Sequence, residues 1–205
     1  LNRGDLTPIL HELITLSALP LKSVETDFAI DSTGFRTTGF NQYAEEKYQL
    51  GRHHSWLKAH ICTGVKTNVI TAVEITDENG ADCPQFSPLV QTTHAGGFNM
   101  QEVSADKAYP SRENYDKLAE IGAKGYIPFK SNHTGKQKGS PAWRKAFLYF
   151  QLNQDEFYQH YHKRSNVEST NSMVKAKFGD KVKSKNRVAQ ENELLCKFIA
   201  HNIVV

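Results

Sequence analysis

The chain has 205 residues, 39% hydrophobic, 10% aromatic and 23% charged, a balance that builds one sizeable core and excludes a disordered, collagen-like or disulfide-stapled chain. The net charge of +3 hides an uneven distribution: residues 1–130 carry 12 Lys and Arg against 16 Asp and Glu, and residues 131–205 carry 13 against 6. A net of −4 followed by one of +7 points to a polyanionic partner, because phosphate binding needs clustered cations rather than a large total.

In chain order, residues 5–17 predict a helix with Pro8 in its first turn, where a missing N–H costs nothing, and Pro20 ends it. The chain opens on Leu1 without a charged-then-apolar leader, so residues 1–24 read as a linker and helix left from an upstream region, and residues 25–205 as the main domain. Asp27-Phe28-Ala29-Ile30-Asp31 predicts a strand that delivers Asp31 to its C-terminal end, before the turn-forming Ser32-Thr33-Gly34 and a polar, Tyr-rich loop. Residues 55–62 and 68–76 predict two strands joined by a short turn. Ser87-Pro88 reads as the start of a helix that closes at Gly96-Gly97, and residues 100–106 as a strand with Asp106 at its end. Residues 111–121 predict a helix stopped by Gly122, and residues 125–129 a strand. After a basic linker, residues 130–140, three helices follow at 141–152, 155–178 and 186–203. The fold class is therefore α/β, a mixed five-stranded sheet of three antiparallel strands then two parallel ones, flanked by helices. Cys62, Cys83 and Cys196 show no metal-ligand spacing and cannot all pair, which fits a reducing cytoplasm.

The strongest chemical signal lies on the 155–178 helix. At 100° per residue, Arg164, Glu168 and Lys175 fall at about −60°, −20° and −40° from Tyr161, one narrow polar face. It borders an apolar stripe of Val167, Val174 and Phe178, the arrangement of a cleft wall. Read alone, Arg164 and Glu168 are an i,i+4 ion pair worth about 0.3 kcal/mol. Asp31 and Asp106, at the ends of separate strands, add two carboxylates that a helical Glu completes to a three-carboxylate site for hard divalent cations. Each Asp taken singly reads first as a turn or cap residue.

These residues resemble a known family. Asp31 in FAIDSTGF, Asp106 in VSADKAYPS, and the spacing of Tyr161, Arg164, Glu168 and Lys175 resemble the catalytic domain of bacterial insertion-sequence DDE transposases with a Tyr-Arg-Glu-Lys signature, over residues 25–203. The resemblance implies a ribonuclease H-like fold shared with retroviral integrases, and Asp31, Asp106 and Glu168 as catalytic metal ligands. It further implies two Mg²⁺ ions, replaceable by Mn²⁺, and cleavage of transposon ends with strand transfer into target DNA. A DNA-bound homodimer is the assembly it leads one to expect, and Tyr161, Arg164 and Lys175 the phosphate contacts. A nuclease without strand transfer, or a non-enzymatic DNA-binding domain, remains open on the residues themselves.

Lys175, Lys177, Lys181, Lys183, Lys185 and Arg187 alternate through a helix end and loop, a spacing suited to a DNA backbone or to a merely solvated face. Lys58, His60 and Lys107 are further candidates for the cleft, though their spacing does not require it. Tyr161 and Trp143 are each open to core packing or to DNA contact. His53, His54, His160 and His162 lack the partners of a metal site and read as surface residues. Only 24 residues, 131–154, separate the last strand from the Glu168 helix, too few for the β-rich insertion that some relatives carry.

Overall fold

The computed structural model describes residues 1–37 and 56–205. The Tyr-rich loop, Ser55, His53 and His54 lie outside the described residues. Strand β1 (Asp27–Thr37) is the axis of the sheet. It pairs antiparallel with β2 (Trp56–Gly64), which pairs antiparallel with β3 (Ile70–Asp77). On its other side β1 pairs parallel with β4 (Glu102–Ala105), and β4 with β5 (Lys124–Tyr126). The order β3-β2-β1-β4-β5 is the ribonuclease H-like arrangement expected. A two-residue strand, β6 (Lys181–Val182), adds to it by pairing with Arg36 and Thr37.

Being central, β1 buries both faces, and its side chains alternate between two cores. Phe28 and Ile30 join Val103 and Ala105 against α2 (Phe86–Ala95), α3 (Arg112–Glu120), α4 (Pro141–Leu152) and α5 (Gln154–Tyr161). Ala29 and Phe35 join Leu57, Ala59 and Ile61 against α1 (Leu6–Ala18), α6 (Ser165–Phe178) and α7 (Arg187–Val204). The result is a sheet between two helical layers. Asn202 ties the second layer to the sheet edge, donating to the Ile70 carbonyl at 2.7 Å while accepting from its N–H at 2.8 Å.

Local chemistry sets several boundaries. Ser111 Oγ accepts from Asn114 N and Ser140 Oγ from Trp143 N, so both serines cap their helices. Gly179, at φ +79°, ends α6 in a conformation costly for any side chain. Other expectations are corrected. Asp31 lies mid-strand, because β1 pairs with β2 through Arg36↔Trp56 and Phe35 is fully buried beyond it. Ser87 does not start α2: a 3-10 turn, Cys83–Gln85, with Pro84 in it, feeds the helix directly at Phe86. The continuous 155–178 helix is two helices, α5 and α6, separated by a 3-10 turn at His162–Arg164. Trp143 is core, packed edge-on to Tyr115 and Phe129 with its indole N–H donating to the Thr134 carbonyl.

Buried histidines among the described residues carry a pH consequence. Burial pushes His11, His60 and His201 below the ordinary imidazole value of 6.5, His60 to about 4, where Asp82 only partly compensates. A group depressed on folding contributes stability above its unfolded pKa and loses it as pH falls toward its folded pKa. The urea midpoint is therefore expected to fall between pH 6.5 and 5. His60→Gln, which retains a donor for Thr76 Oγ1 at the 3.0 Å contact, should flatten that fall; an equally steep profile in the variant contradicts it.

Candidate active site

Strand alternation places Asp27, Ala29 and Asp31 on one face of β1, and Glu102 and Ser104 on the same face of β4, with Asp106 continuing that row. The register Asp27↔Glu102 and Ile30↔Ala105 sets Asp31 beside Asp106, at the point where β4 stops. Helix α6 and the 3-10 turn before it cross this face, Val167 and Val174 packing into the core there. Glu168 projects from the first turn of α6.

Arg164 joins two of the carboxylates, and Asp106 lies near enough to Asp31 to be felt by its carboxyl. Arg164 donates from Nη1 to Glu168 Oε1 at 2.5 Å and from Nη2 to Asp31 Oδ2 at 3.3 Å, so a cation bridges two of the three acids. The Arg164 side chain is 18% exposed and Asp31 15%, against 59% for Glu168, which makes the Asp31 contact the more strongly electrostatic of the two. Burial pushes the Asp31 carboxyl above the ordinary range. The Ser32 backbone and Arg164 oppose that shift, while Asp106 and Glu168 add to it. Asp106 is held in place by Ala108 N, which donates to its Oδ1 at 2.7 Å.

Of the two readings left open for Tyr161, the structure shows the packing one. Its ring packs against the core beside Phe157 and Tyr158. Its hydroxyl, raised mainly by burial, also feels Arg164, Asp106 and Asp31. Sequence reasoning missed Tyr109, three residues after Asp106. It is fully buried, and its raised pKa reflects burial first, then Asp82, Asp31 and Asp106.

Lys175 lies elsewhere. Its ammonium sits 5.3 Å from the Phe35 ring centre, and desolvation lowers its pKa, with Asp180 opposing. The rest of the basic run is strapped to α7. Glu193 accepts from Lys183 N at 2.9 Å and Ser184 N at 2.8 Å, and Lys197 donates to the Gly179 carbonyl at 3.0 Å. Lys177, Lys181, Lys183 and Lys185 are exposed, and Arg187 pairs with Glu191 at 2.6 Å. Lys58 and His60 both turn to Asp82, at 2.9 and 3.2 Å, rather than to the three carboxylates. Lys107 is exposed. His160 engages Glu102, and His162 lies by the Tyr158 and Tyr161 rings.

As they stand, no three His, Cys, Asp or Glu side chains among the described residues form a metal-holding group. Three unscreened carboxylates repel, and here a guanidinium offsets two of them. The donor set offers oxygen ligands only, the type a hard divalent ion takes, and two of the three acids already share a cation. No helix among the described residues is long and apolar enough to cross a membrane. The family model described as the transposase DDE domain matches residues 22–203. With nearly the whole chain matched, and a mixed sheet of the expected strand order, this protein belongs to the transposase DDE domain family.

Proposed function

We propose that this domain cleaves DNA at transposon ends and joins the freed 3′ ends to target DNA, with Asp31, Asp106 and Glu168 as the metal-holding residues. The observation that carries the proposal is Arg164 joining Asp31, from a strand, to Glu168, from a helix, with Asp106 near enough to Asp31 to be felt by its carboxyl. Mg²⁺, or Mn²⁺ in its place, supplies activation of a water or 3′-hydroxyl and stabilisation of the leaving oxygen when held there as a pair. Arg164 has a second role: its planar fork is suited to a phosphate once released from the acids. Tyr161 offers a hydroxyl at the edge of the same group. Residues 175–187 supply cations for the flanking duplex, and two ends brought together make a dimer the working form.

The test is end-containing duplex DNA, intact or pre-nicked, incubated with Mg²⁺ and a target plasmid. Joined product is expected; cleavage without joining reduces the reading to a nuclease, and DNA binding alone reduces it to a binding module. For the basic run, Lys177→Gln with Lys181→Gln and Lys183→Gln should weaken DNA binding uniformly across sequences. The slope of log K against log salt should become shallower by about 0.9 for each phosphate that the variant leaves unneutralised. An unchanged slope in a filter-binding series would mark this run as a solvated face.

A further inference from the structure

We propose that Lys163, one residue before Arg164, is a positioning residue: held by Asp27 and Glu102, it fixes the 3-10 turn from which Arg164 reaches Asp31 and Glu168. The inference rests on the functional reading above for its consequence in cleavage, and on geometry alone for the placement of Arg164.

The two strands carry matched acidic rungs. Asp27 and Asp31 are four residues apart on β1, and Glu102 and Asp106 four apart beside them, so the rungs are separated by about 13 Å on one face. Asp31 of one rung meets Arg164. The other rung is filled by Lys163, whose Nζ donates to Asp27 Oδ2 and to Glu102 Oε2, each at 2.7 Å. His160 closes the same cluster, with Nδ1 2.9 Å from Glu102 Oε2 and its ring stacked on Tyr126 at 4.5 Å. In a 3-10 turn successive side chains diverge by about 120°, so consecutive cations can serve rungs this far apart. That accounts for the break between α5 and α6: Tyr161 stays with the aromatic core while Lys163 and Arg164 are aimed along the β1–β4 seam.

Arg164 needs such support. Its Nε is buried without a hydrogen-bond partner, so its stem makes no polar contact there and only the terminal nitrogens hold it. Its bond to Glu168 involves a largely exposed carboxylate, a weak constraint when taken alone. The Lys163 clamp joins two strands to the turn through charge-assisted bonds, the stronger kind.

The experiment is NMR of the arginine Nε–H groups, with the Arg164 signal assigned by its loss in Arg164→Lys. The main variant combines Asp27→Asn, Glu102→Gln and Lys163→Met, which removes the clamp without leaving a charge unpaired. Its Arg164 Nε–H is expected to shift and to exchange with solvent at least about tenfold faster, with Tm close to that of the parent; Lys163→Arg alone, with Asp27 and Glu102 intact, should keep the parent signal. Should the triple variant not fold, Lys163→Gln is measured in the same way. An Arg164 signal superimposable on the parent's in the folded variant overturns the proposal. Cleavage adds a second reading: the clamp variant should lose on the order of 10²-fold in rate, and Arg164→Ala on top of it should add little. Independent, additive losses would overturn the link. If the parent shows no metal-dependent cleavage at all, the functional reading fails, and the Arg164 signal still decides the positioning role.

Discussion

Asp31→Asn is expected to abolish metal-dependent cleavage, by at least about 10³-fold, while leaving the fold as stable as before or more so. The two effects have one origin. Burial, then the neighbouring Asp106 and Glu168 charges, push the Asp31 carboxyl above its ordinary value of 3.8, against the pull of the Ser32 backbone and Arg164. A carboxyl raised on folding binds its proton more readily in the native state than in the unfolded chain. Its contribution to stability is therefore present at acid pH and lost as pH rises through the folded pKa. At neutral pH the ionised group is a net cost, retained where an oxygen ligand is needed. Asparagine keeps the shape and removes that cost. Each kcal/mol recovered corresponds to about 2–4 °C in Tm for a chain of this size. Thermal unfolding at pH 7 and an end-cleavage assay check both halves; a variant that cleaves normally, or melts several degrees lower, contradicts the argument.

The largest stability effect is expected from Phe157→Ala. Phe157 is fully buried and central to an aromatic cluster, with ring centres of Phe150 at 4.9 Å, Tyr126 at 5.6 Å and Tyr158 at 5.7 Å. Deleting a buried phenyl removes its transfer energy and leaves a cavity that rigid neighbouring rings cannot fill, about 3–5 kcal/mol. The expected fall in Tm is about 10 °C. The same ring lies 6.5 Å from Tyr161 in a stacked arrangement, so the folded fraction should also bind end DNA less tightly. Phe157→Leu, which fills most of the volume, should recover most of the stability. A loss in the alanine variant below about 1 kcal/mol in urea unfolding would show that α5 contributes little to the core.

Much of the fold was legible because it rests on local preference. The helix starts at 111 and 141 were legible from the residues that open them, and the structure adds that the Ser111 and Ser140 hydroxyls cap them. Three strands in antiparallel succession followed by helix, strand, helix, strand dictate the β3-β2-β1-β4-β5 order almost by themselves. Asp31 and Asp106 stood out as acids in or beside apolar strands. The end of β1 is not legible locally because Ser32-Thr33-Gly34 has turn chemistry, and pairing with β2 holds that stretch extended. The turn at His162–Arg164 was invisible for a similar reason. Nothing in His-Lys-Arg interrupts a helix locally.

Sequence by itself determined the alternation that puts Asp27 with Asp31 and Glu102 with Asp106 on single strand faces, the helix that carries Glu168, and the basic charge of the last third. Tertiary structure decided which acid meets which cation. The parallel register of β1 on β4 sets the two rungs side by side, and a 3-10 turn sends Lys163 to one and Arg164 to the other. Residue spacing along one strand or helix fixes direction, because backbone geometry is periodic. Distance between charges on different elements depends on register and packing, which no local period encodes, and Coulomb energy depends on that distance and on burial.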